Sequence, residues 1–195
     1  MQGFGTSPLW YPSSLIDYLR LLVLVVAVFC HAKGHTAGFV ALVTASFLLD
    51  LMDGWIARRQ EQTSRFGEFL DFGIDLISHT VLWVVSGFPF APVMILLEWS
   101  AGISVLLISI RQPDHWKLAL MNAHPFLRRY FVNRQRNYLA AWAGLSHFGF
   151  RIAWYLGYGE MWISNVTLPG IIVFELVSAY MVWIPVRGWL YCRKM

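Results

Sequence analysis

The stretch Asp50–Asp75, DLMDGWIARRQEQTSRFGEFLDFGID, places four aspartates within 26 positions of a largely apolar chain. A lone carboxylate in hydrocarbon costs on the order of several kcal/mol, so the pattern demands a counter-charge. Three kinds qualify: a metal ion, an arginine, or water in a cavity. Asp50 and Asp53 stand at i, i+3, and Asp71 and Asp75 at i, i+4. Either spacing puts a pair on one helix face. The link between them, RRQEQTSRF, is short, so it predicts two antiparallel helices with both pairs at similar depth.

Around this hairpin the composition is that of an integral membrane protein. Of 195 residues, 57% are hydrophobic and 13% charged, and the mean hydropathy is +0.54. A soluble domain carries about 25% charged residues. The length predicts one domain over residues 1–195. A membrane-crossing helix takes about 20 apolar residues, and six segments qualify: 13–33, 36–57, 67–90, 91–110, 138–158 and 168–192. The expected fold is therefore an all-α, polytopic bundle of six transmembrane helices. The carboxylates would sit at the cytosolic end of the second and third.

That orientation follows from the basic residues. Nearly all lie in RRQEQTSRF, in the long polar link RQPDHWKLALMNAHPFLRRYFVNRQRN, and at the C-terminus, while the opposite links show only Lys33. Cytosolic loops carry this excess, which predicts both termini and the hairpin on the cytosolic side. No basic residue precedes Arg20, so the first apolar stretch reads as a retained span rather than a signal peptide. Cys30 and Cys192 are far apart and form neither a disulfide framework nor a zinc spacing. The sequon Asn165-Val166-Thr167 is expected in the loop before the last span, close against the membrane.

Four converging carboxylates repel unless something neutralises them. An all-oxygen set without His or Cys suits Mg²⁺ or Mn²⁺, and four acids can share two ions, as in two-metal phosphoryl-transfer sites. Gly54, Ala57 and Gly67 leave backbone open to a flat group, and Arg58 offers a fork for phosphate oxygens. Together these residues read as a diphosphate cradle. The structural alternative has the aspartates capping helices or pairing with Arg58, Arg59 and Arg65.

The pattern Asp50-x₂-Asp53-Gly54-x₂-Ala57-Arg58-x₈-Gly67-x₃-Asp71-x₃-Asp75 resembles the signature of the CDP-alcohol phosphotransferase family at all of its fixed positions. PSSLIDYLR resembles the amphipathic lead-in and Arg-bearing start of that family's first helix. The resemblance implies attack by an alcohol hydroxyl on the phosphorus of a CDP-activated donor, with release of CMP. It implies metal ligation by Asp50, Asp53, Asp71 and Asp75, with Asp75 also the general base. Asp53, Gly54, Ala57, Arg58 and Gly67 would contact the cytidine diphosphate.

Within the family, TSRFGEFLDFGIDL and HPFLRRYFVNRQRNYL are similar to eukaryotic phosphatidylinositol synthases. This likeness implies CDP-diacylglycerol as donor and myo-inositol as leading acceptor, in an endoplasmic-reticulum membrane and with scope for a homodimer. Those enzymes carry Arg directly after the fourth aspartate, where this chain has Leu76. Glycerol phosphate, serine, ethanolamine and choline therefore stay open as acceptors. No nucleic-acid partner is implied.

The basic link holds Arg128, Arg129, Arg134 and Arg136 among aromatic residues. It reads as a positive-inside loop facing anionic headgroups, or as an arm from which Arg134 or Arg136 reaches a substrate phosphate. Glu98, Glu175, His147 and Arg151 fall inside expected spans and should pair with one another. His79, four residues after Asp75, shares its face. Two other classes fit the hairpin less well. A non-catalytic relative would not keep every acid, and a cation transporter would place them nearer the bilayer midplane.

Overall fold

The computed structural model describes residues 11–59, 65–111, 117, 120–121 and 124–192. Among them are seven helices and no strand: α1 (Pro12–Ala32), α2 (Thr36–Arg59), α3 (Arg65–Ser86), α4 (Ala91–Arg111), α5 (Pro125–Gln135), α6 (Tyr138–Tyr155) and α7 (Trp162–Cys192). Pro12 opens α1, where its missing N–H costs nothing. Gly34 and Gly87 follow α1 and α3 with φ of 75° and 68°, a backbone that residues with a Cβ adopt only under strain.

Among the described residues, four helices hold stretches long and apolar enough to cross a membrane: Ser14–Ala32, Phe69–Ser86, Ala91–Ile110 and Asn165–Val186. The protein is thus an all-helical, multi-pass membrane protein. α2 carries a further apolar stretch, Thr36–Met52. The 18-residue α6, which carries buried His147 and Arg151, is not among the four.

The chain divides into two compact units, residues 1–81 and 82–195. In the first, α1 packs along α2 and buries Leu24, Ala27, Phe39 and Val43. In the second, α7 is the hub on which α4, α5 and α6 pack. Trp83, Ala91, Phe150 and Ile171 form its aromatic-rich core.

The close approach of α6 and α7 depends on Gly170. A Cβ there would lie 2.3 Å from Ser146 Oγ and 2.4 Å from Ser146 Cβ. Gly170→Val is expected to destabilise the second unit by about 1–3 kcal/mol through overpacking. Thermal unfolding of the purified protein in detergent should show a lowered Tm, and an unchanged Tm would contradict this packing.

Two sequence expectations need correction. The long polar link contains α5, a short amphipathic helix capped by the His124 side chain, which accepts from the Phe126 N–H at 3.2 Å. It buries Leu127, Tyr130 and Phe131 while Arg128 and Arg129 stay exposed. Burial pushes the Tyr130 hydroxyl up to about 12, so it stays neutral. Eleven residues with three arginines among them do not stand out from a polar loop in sequence. The second correction concerns the sequon: α7 begins at Trp162 and takes in Asn165–Thr167, with Thr167 Oγ1 donating to the Ile163 carbonyl at 3.0 Å. Pro169 and Pro185 lie inside this helix, which made the boundary hard to place from sequence.

Candidate active site

The counter-charge in the first unit is an arginine, and it comes from α1. Arg20 Nη1 donates to Asp71 Oδ1 at 2.6 Å and to Asp17 Oδ1 at 3.2 Å. Its Nη2 donates to Asp75 Oδ1 at 2.5 Å and pairs with Asp50 Oδ1 at 2.9 Å. The two terminal nitrogens have four N–H groups between them, and each nitrogen faces two carboxylates. A planar guanidinium is suited to this role, because its donors form a rigid fork and its charge persists at every working pH.

Helical spacing explains the convergence on each element. Asp17 and Arg20 are one turn apart on α1, and Asp71 and Asp75 one turn apart on α3. Arg20 and Asp17 side chains are only 3% and 2% exposed, whereas Asp50, Asp71 and Asp75 are 27%, 40% and 37% exposed. The cation lies on the buried side and the acids keep an open side.

One oxygen from each of Asp50, Asp71 and Asp75 can be chosen so that all three lie within 4.8 Å of one another. Three hard oxygen donors at this spacing fit a Mg²⁺- or Mn²⁺-type ion. Gly67 sits in the first turn of α3, one turn before Asp71. Asp53, Gly54, Ala57 and Arg58 continue α2 as helix, but their side chains lie outside the described residues. Arg134 belongs to α5 with its side chain likewise outside them, and Arg136 is exposed as the C-cap of α5. Asp17 escaped the sequence reading and Arg20 was given no partner there. The signal was an Asp/Arg pair at i, i+3 heading an otherwise apolar helix.

A second polar centre lies in the second unit, where Glu98, His147, Arg151 and Glu175 do pair with one another. Arg151 Nε donates to the His147 carbonyl at 2.9 Å, and its Nη2 contacts His147 Nδ1 at 2.8 Å. Arginine has no acceptor, so Nδ1 must accept and the ring proton sits on Nε2. That proton faces Glu98 Oε1 at 3.0 Å, with Glu175 Oε1 at 3.4 Å, and Trp83 Nε1 also donates to Glu98 Oε1 at 2.6 Å. The imidazole stacks on Phe174 with ring centres 3.9 Å apart. With Nδ1 accepting and Nε2 donating, this histidine offers no lone pair to a metal. The centre is a structural network.

Apolar helices combined with carboxylates from three of them gathered on one buried arginine define a membrane protein with a candidate carboxylate site. The chain belongs to the CDP-alcohol phosphatidyltransferase family, whose profile matches residues 10–174. It is 31% identical over 106 residues to CDP-diacylglycerol–inositol 3-phosphatidyltransferase 1 of Arabidopsis thaliana, covering 54% of this chain and 43% of that protein. The Saccharomyces cerevisiae protein named CDP-diacylglycerol–inositol 3-phosphatidyltransferase is 37% identical over 67 residues, covering 34% of this chain and 30% of its own. Archaetidylinositol phosphate synthase of Methanothermobacter thermautotrophicus is 34% identical over 71 residues, or 36% of each chain. The chain thus spans less than half the length of the curated relatives it matches. No solved structure matches it.

Proposed function

We propose that the protein transfers a phosphatidyl group from CDP-diacylglycerol to a small polar alcohol, foremost myo-inositol, and releases CMP. The observation that carries this reading is the family match across residues 10–174 together with three of the four signature acids gathered within 4.8 Å. The inositol acceptor is supported by the relatives, all named for inositol products or substrates. The family match crosses both compact units, which supports one catalytic domain over 1–195.

In this reading Asp50, Asp53, Asp71 and Asp75 hold two Mg²⁺ or Mn²⁺ ions. When bound, the ions offset charge building on the phosphoryl oxygens and on the leaving CMP. Asp53, Gly54, Ala57, Arg58 and Gly67 seat the cytidine diphosphate, with the Arg58 fork on a phosphate. Asp75 takes the proton of the attacking hydroxyl. A new bond forms from the alcohol oxygen to the phosphorus that bears diacylglycerol, and the P–O bond to CMP breaks. Arg134 and Arg136 extend the phosphate-binding surface. Six membrane crossings, with both termini and the acids on the cytosolic side of an endoplasmic-reticulum membrane, complete the proposal, as does a homodimeric state.

The test is CMP release by protein purified in detergent and given CDP-diacylglycerol with each candidate alcohol. CMP should appear only when Mg²⁺ or Mn²⁺ and one acceptor are both present, with myo-inositol the fastest. Absence of CMP with every acceptor and either ion would sink the catalytic reading.

A further inference from the structure

We propose that Arg20 is a positioning residue for the metal-ligating carboxylates, with Asp17 as its anchor; this rests on the metal-dependent reading above. The guanidinium reaches acids on three helices: Asp17 on α1, Asp50 on α2, and Asp71 and Asp75 on α3. Without a cation, three carboxylates within 4.8 Å of one another would spread apart by repulsion. Arg20 holds them together from the buried side and leaves their open side to a ligand.

Asp17 is what makes this arrangement rigid. It lies one turn before Arg20 and is almost fully buried with it, so the pair fixes the direction of the fork before any acid on α2 or α3 is engaged. Four acids share one arginine, which leaves carboxylate oxygens over for divalent ions. Lysine in place of Arg20 keeps the charge but offers three donors on one atom, so it cannot serve four carboxylates as two nitrogens do. The arrangement resembles the outer partners of metal ligands elsewhere, whose loss costs roughly 10–100-fold in metal affinity or activity.

The experiment is a Mn²⁺ titration followed by electron paramagnetic resonance, without nucleotide, on the monodisperse fraction of the purified full chain. Arg20→Met should weaken Mn²⁺ binding by roughly 10–100-fold, Arg20→Lys should recover part of it, and Asp17→Asn should weaken it several-fold. A merely structural arginine would lower Tm while the folded fraction bound Mn²⁺ as before. A cation that competes with the metal would give tighter binding on removal. Either result overturns the proposal. If Arg20→Met yields no monodisperse protein, Arg20→Lys and Asp17→Asn decide, and wild-type affinity in both overturns it. Wild-type protein that binds no Mn²⁺ overturns the metal reading itself, whereas wild-type binding with unchanged variants overturns the positioning role alone.

Discussion

Asp75→Asn is expected to cut CMP release by about 10²–10⁴-fold, the range a positioned general base supplies. Asparagine has nearly the same shape but cannot accept the alcohol proton. At the middle of that range the barrier rises by about 4 kcal/mol. The structure makes this variant a clean one in the fold. Asp75 is partly exposed, its neighbours on α3 are helical throughout, and Arg20 can still donate to an amide oxygen. The loss should therefore appear in kcat for CMP release at saturating myo-inositol while the thermal transition moves little. Activity equal to wild type would remove Asp75 from the role of base.

The largest stability effect is expected at Arg151. Its side chain is 1% exposed, satisfies His147 Nδ1 and brings a positive charge near Glu175. Arg151→Met keeps an apolar stem against the Trp83 ring, over which the guanidinium now lies at 5.4 Å. It nevertheless leaves His147 Nδ1 as a buried acceptor without its donor and removes the positive charge near Glu175, and removing one partner of a buried charged set costs about 3–5 kcal/mol. Thermal unfolding in detergent should show the drop. Adding Glu98→Gln should restore part of it, because removing both charges of a coupled set is less costly than removing one. A single-variant loss below about 1 kcal/mol would mean that the network does not hold the second unit.

Much of this protein was legible in local pattern. Apolar runs and turn glycines placed the helix starts and stops, because burial in lipid and the φ > 0 requirement act on a few residues at a time. The sequon failed as a loop because α7 begins at Trp162 and runs through two prolines. α5 was missed because its buried side, Leu127, Tyr130 and Phe131, is interleaved with arginines.

The sequence by itself determined the membrane class, the family and the pairing of the acids on helix faces, since the spacings Asp50/Asp53 and Asp71/Asp75 are properties of single helices. It left three kinds of counter-charge open. Only the tertiary structure decided among them for the protein's own residues, bringing Arg20 to Asp71 and Asp75 across separations of 51 and 55 residues. Helical periodicity specifies which face a charge occupies on its own helix. Which faces meet depends on how α1, α2 and α3 pack, and one guanidinium at that meeting point settles how the acids tolerate one another.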